Sequence, residues 1–380
     1  VAKAIRVSDG LINKWRWKRW AVSSCRTASG EALSGQFAMR EPGLVGPGSD
    51  KNFRETTMKR RSGIAALALL LLAGSHEAGA QTFPSRPIKI ITAAGAASGI
   101  DVTFRSMADE LSAILGQPVT IENKPGANGL IAIQEVLKAR PDGHTLLGGN
   151  INTNSLMPVV DAKKLNFNID EKLTPIMYVN HVPAVVAAAA SVPDTLAGFV
   201  DHVRKNPGKV NYGVTAIGAY NHMDMLVLSK TAGLKMEPVV TPTVAAAATS
   251  LLNGDIQVLF LTAQATIPLL SDGKIRALAV TGDKRLAAIP NVPTMAEAGF
   301  PDIGSNVWQG LFAPAGTPND ALDKIFQAMR KALAAKSVED SLSSKGFVQQ
   351  PSASPEEFRA YLKKDMAKWA VVARENNLDK

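Results

Sequence analysis

Cysteine is nearly missing. Cys25 is the only one, so from Gln81 onward no disulfide, thiolate metal site or thiol nucleophile can form. Histidine is scarce too, and His76, His144, His181, His202 and His222 fall into neither HExxH nor any other metal-ligand spacing. There is no GxSxG elbow, Walker loop or GxGxxG, and the acid, base and nucleophile sets of catalysis do not assemble. No apolar run reaches the ~20 residues that a membrane-crossing helix needs. These absences favour binding over catalysis, with no metal and no cofactor expected.

Positive charge is also missing where a folded domain would use it. The formal net charge is +9. Residues 1–80, however, hold 13 Lys and Arg against 6 Asp and Glu, and residues 81–380 hold 29 against 27. A nucleic-acid surface needs clustered positive charge on the folded part, so that class is set aside. The N-terminal excess has another explanation. Met58-Lys59-Arg60-Arg61 is a basic start, Ile64–Ala73 an apolar run, and Ala78-Gly79-Ala80 a small-x-small exit. Together they read as a signal peptide over 58–80; an uncleaved anchor is the alternative. Translation is expected to begin at Met58, with 1–57 a mis-extended N-terminus. The exported product is expected to be periplasmic, soluble because no cysteine follows the exit to carry a lipid, and a monomer.

What is present after Gln81 is an alternation of short β-branched runs and helical patterns, the mark of an α/β fold with largely parallel sheets. Strands are predicted at 88–92, 119–122, from 145, and at 210–214, 239–241, 256–260 and 277–281. Helices are predicted at 100–115, 128–139, 195–205, 221–232, 243–252, 319–335 and 355–376. The first helix carries Phe104, Met107, Ala108, Leu111 and Leu115 on one face. Two α/β halves suggest two lobes with a cleft at the carboxyl ends of strands, where helix N-termini present free N–H groups to an anion.

Two strand–loop–helix junctions are candidates for that role. Gly95-Ala96-Ala97-Ser98-Gly99 is either a ligand cradle or an ordinary turn of small residues, and Asp101 either caps the helix or orients the loop. In Tyr212–Asn221, the small Thr215, Gly218 and Ala219 would let a ligand approach the backbone, unless Gly218 only supplies a positive φ. His222 reads as a structural histidine.

The residues also carry a family resemblance. Phe83-Pro84-Ser85-Arg86-Pro87-Ile88, the ENKPGANG of 122–129, the PDGHTLL of 141–147, GKIRALAVT at 273–281, the Pro290–Pro293 turn, Glu297-Ala298-Gly299 and WQGLFAPAGTP at 308–318 follow in order. Residues 82–380 thus resemble the Bug family, the TctC-like extracytoplasmic solute receptors of tripartite tricarboxylate transporters. The resemblance implies a type II periplasmic-binding-protein fold whose chain crosses the hinge twice. Lobe one would be 82–184 with 305–380, and lobe two 185–304. It implies capture of a small organic acid, held largely by backbone N–H groups, for membrane transporter subunits or a sensor protein. An enzyme, or a ligand-free sensor or scaffold on the same fold, is the competing reading. The ligand-binding set expected is Ala94, Ser98, Gly99, Asp101, Asn150, Thr153, Thr215, Gly218, Ala219, Tyr220, Thr241 and Thr262. Departures fall in the pocket: Ala93-Ala94 replaces Pro-Phe, Ala97 and Ser98 replace glycines, and Leu261 replaces an aspartate. The expected ligand is therefore an acid with fewer polar groups than citrate or aspartate.

Overall fold

Residues 82–379, except Pro242 and Asp272, are described by a computed structural model of the chain. The segments expected to be a signal peptide, 58–80, and a mis-extended N-terminus, 1–57, lie outside the described residues.

The first half is built from β1 (Ile88–Thr92), α1 (Gly99–Leu115), β2 (Val119–Asn123), α2 (Leu130–Lys138) and β3 (Thr145–Asn150). β1 pairs with β2 and β3 in parallel. α1 exists for the reason its sequence gives. Ile100, Phe104, Met107 and Leu111 recur on one face and are all buried, each stabilising the fold by about 1.5–3 kcal/mol. Gly116, at φ 68°, ends the helix in the left-handed conformation. After β3 come a wide helical turn, Asn152–Leu156, and two short helices, α3 (Met157–Val160) and α4 (Ile169–Lys172).

The second half contains α5 (Leu196–Lys205), β5 (Asn211–Val214), α6 (Tyr220–Ala232), β6 (Glu237–Val240), α7 (Val244–Asn253), β7 (Val258–Thr262), α8 (Ala263–Thr266) and β8 (Ile275–Val280). The chain then returns to the first half through β9 (Asn306–Pro314), α9 (Asn319–Leu333), α10 (Lys336–Ser343), β10 (Val348–Gln349) and α11 (Pro355–Glu375).

The halves are joined by a strand that the sequence analysis leaves unassigned. β4 (Leu173–Ala189) runs 17 residues through both sheets. Residues Leu173–Pro183 pair with β9, and Ala184–Ala189 pair with β7 and β8. All of these pairings are antiparallel, as is β3 with β9, so the sheets are mixed rather than largely parallel. β4 shows no alternation because nearly every residue in it is buried. Its two prolines sit where the ladder is interrupted, Pro175 at a register shift and Pro183 where the sheets change over. Smaller differences follow the caps. The helix expected at 128–139 starts at Leu130 after a 3₁₀ turn, and the one expected at 319–335 stops at Leu333. β7 extends to Thr262, which places Leu261 inside the strand.

Thr281 closes the second passage between the sheets. Its hydroxyl accepts from Ala184 N at 2.8 Å and donates to Ser305 O at 3.0 Å, and its own N–H donates to Ala184 O. From α6, Asp224 accepts from both Ser305 N and Ser305 Oγ, at 2.9 and 2.7 Å.

Candidate functional site

The loop from β1 to α1 is shaped by its own residues. Ala97 adopts φ 62°, a region that side chains disfavour. It is held there by Asp101, whose Oδ2 accepts from Ala97 N at 2.8 Å. The other Asp101 oxygen accepts from Arg105 Nε and Asn123 Nδ2, both at 2.8 Å. Asn123 Nδ2 also reaches Thr92 Oγ1 and Ala94 O. Asp101 thus orients the loop. Its carboxylate is buried and engaged by three donors. Ser98 precedes α1 but makes no side-chain cap, and its buried Oγ has no hydrogen-bond partner.

The exit from β3 forms a second wall. Asn150 Oδ1 accepts from Thr153 N, while Thr153 Oγ1 accepts from Asn150 N and lies 2.6 Å from Asn154 Oδ1. Asn154 Nδ2 and Ser155 Oγ are buried without partners.

The loop from β5 to α6 belongs to the other half. Asn221 Oδ1 accepts from Thr215 N and His222 N, leaving Asn221 Nδ2 buried and unpaired. Gly218, at φ 83°, donates its N–H to His222 Nδ1 at 3.0 Å. That bond makes His222 an acceptor at Nδ1. Burial lowers its pKa, so it is a neutral, structural histidine stacked on Tyr212. Tyr220 is buried and hydrogen-bonded to the Thr262 backbone, and burial with nearby Asp224 pushes its hydroxyl pKa up. Thr241 is spent on strand geometry, its N–H and hydroxyl both reaching Val214 O.

Three contacts bring the walls together. Tyr220 N, at the start of α6, donates to Asn152 Oδ1 at 3.0 Å. Gln264 Nε2, in α8, donates to Ala97 O at 3.2 Å. Gly218 packs so closely on α3 that an added Cβ would lie 2.5 Å from Val160 Cγ1. These contacts form a seam joining Asn152, Ala97 and Val160 of the first half to Tyr220, Gln264 and Gly218 of the second. Of the expected set, Gly218 and Tyr220 make them directly, while Ser98, Gly99, Thr153 and Ala219 lie one or two residues along the chain from a contact. Asp101 holds the first loop in shape through Ala97, and Thr241 bonds Val214 at the end of β5.

Asn152, Asn154, Gln264 and Gln309 were missed by sequence reasoning. Gln309 of β9 carried the clearest signal, a lone amide in the run Trp308-Gln309-Gly310-Leu311-Phe312. Among the described residues, no group of three His, Cys, Asp or Glu is placed to hold a metal ion. A groove of about 460 Å³ lined by Phe83, Ile114, Lys324 and Lys331 lies away from the seam.

The family model described as tripartite tricarboxylate transporter family receptor matches residues 103–378. A UPF0065 protein of Bordetella pertussis is 36% identical over 284 residues, 74% of this chain and 87% of that protein. Among solved structures, MatC from Rhodopseudomonas palustris with bound malate is 27% identical. It superposes with a TM-score of 0.69 over 76% of this chain and 99% of its own. Rpa4515 of R. palustris with adipate is also 27% identical, with a TM-score of 0.71 over 77% and 97%. The two-sheet architecture is of the type II periplasmic-binding-protein kind.

Proposed function

This chain belongs to the receptors of the tripartite tricarboxylate transporter family, and from that membership we propose that it captures a small aliphatic acid in the periplasm and presents it to membrane transporter subunits or a sensor protein. It is a solute-binding receptor of the Bug/TctC type, and its relatives are non-catalytic binding proteins. The observation that carries the ligand reading is the seam, where the N-terminus of α6 meets Asn152 of the first half and the loop leading into α1 meets Gln264 of the second. A helix N-terminus offers free N–H groups and about half a positive charge, which suits a carboxylate without a buried Lys or Arg. Malate and adipate, bound by two relatives, are both dicarboxylates. The small, apolar Ala93 and Ala94 favour an acid with few further polar groups.

In this reading the lobes are 82–184 with 305–380 and 185–304, the ligand-binding set is the seam, and the protein acts as a monomer exported through its signal peptide. The test is native mass spectrometry of protein recovered from the periplasm, followed by thermal melts with linear C4 to C6 acids. A small adduct that leaves on unfolding is expected. So is stabilisation of about 2.7 kcal/mol at a hundredfold excess over Kd. A bare protein whose melting no acid raises would sink the proposal.

A further inference from the structure

Gln309 lies in the middle of β9, opposite Asn150 of β3 and Asn180 of β4. It is 2% exposed. Its Nε2 donates to Val307 O at 3.0 Å, which fixes the orientation of the amide, since a flipped group would set two acceptors against each other. Oε1 is then a buried acceptor with no partner among the protein atoms, an arrangement proteins rarely keep without use. The amide lies against the start of α1. A Cβ on Gly99 would come within 3.4 Å of Gln309 Nε2 and 3.8 Å of Gln264 Oε1, so Gln309 sits where the second half closes over the helix N-terminus.

An acceptor oxygen repels a carboxylate and suits a donor on the carbon beside it. That donor is a hydroxyl or an ammonium. An ammonium needs a countercharge, yet the Asp101 carboxylate is already engaged by Ala97, Arg105 and Asn123. A hydroxyl needs none, and Ser98 Oγ, the other unpartnered atom at this helix end, can give to it or take from it.

We propose that Gln309 is a specificity-determining residue that reads a hydroxyl next to the ligand's carboxylate, so that the site selects 2-hydroxy acids. This rests on the receptor reading above. The test is calorimetric titration of the exported protein with matched sets: succinate, malate and aspartate, then isobutyrate, 2-hydroxyisobutyrate and 2-aminoisobutyrate. In at least one set, the hydroxy acid is expected to bind tenfold or more tightly than its deoxy and amino partners. Gln309→Met should weaken only the hydroxy acid and bring that ratio near one, and Gln309→Glu should move the preference to the amine. Equal binding of deoxy and hydroxy acids by the wild type, or a ratio that survives Gln309→Met, overturns the proposal while leaving the receptor reading standing. Failure of every acid to bind overturns both. If the variants do not fold, the wild-type ratios still decide.

Discussion

Ala97 and Asp101 show how a binding loop is held by single residues. A left-handed alanine is disfavoured by about 1–2 kcal/mol, and the Asp101 carboxylate offsets that cost through Ala97 N. Ala97→Gly is therefore expected to raise the melting temperature slightly, the relief of strain exceeding the added freedom of the unfolded chain. Asp101→Ala should leave the far-ultraviolet spectrum unchanged but weaken ligand binding about tenfold or more, as titration would show, because the loop loses three hydrogen bonds.

Asp224 governs the response to pH. Burial raises its pKa to about 7, even though Ser305 donates to it twice and Lys368 is near; Asp365 adds to the rise. An unfolded aspartate titrates near 3.9. Between about pH 4 and 7 the folded chain thus keeps a proton that the unfolded chain has lost, and stability falls as pH rises through that window. Burial pushes His181 down to about 4, so its contribution has the opposite slope and is lost as pH falls from about 6.5 to 4. Asp224→Asn should remove the first slope. Melting temperatures of that variant are expected to climb from pH 4 to about 6.5 and then level, where the wild type changes less. Identical profiles for the two proteins would exclude Asp224 as the titrating group.

At the scale of elements, legibility followed the kind of burial. α1 was readable because one face is buried and one is wet, and its start was visible in the small residues before it. β4 was not, because burial on both faces erases alternation and its alanines favour helix. The site divides in the same way. Ser98, Gly99, Gly218 and Tyr220 stand at strand-to-helix junctions that can be found locally. Asn152, Gln264 and Gln309 join them only after the sheets assemble, from segments far apart in the chain. Gly218 matters for what it lacks. Gly218→Val would require φ 83° of a β-branched residue and place carbon against Val160. The expected result is loss of ligand-induced compaction in small-angle scattering, with a folded protein retained.

The whole molecule depends on how its halves are tied. Thr281 bonds both passages between the sheets, to Ala184 and to Ser305, and it is fully buried. Thr281→Val keeps the shape and strips the hydroxyl, leaving Ala184 N without its side-chain acceptor. Chemical denaturation should register a loss of about 1–3 kcal/mol. No change would show that the tie is dispensable.

The two passages run side by side, with Pro183 paired to Asn306, and together they form a two-stranded strap. A strap bends readily across its face and resists bending in its plane. Thr281 acts as the rivet that keeps its plies from sliding. Two passages tied in this way are expected to let one half move against the other mainly as a single swing, so that a partner touching both halves would read one variable, how far the jaw has shut.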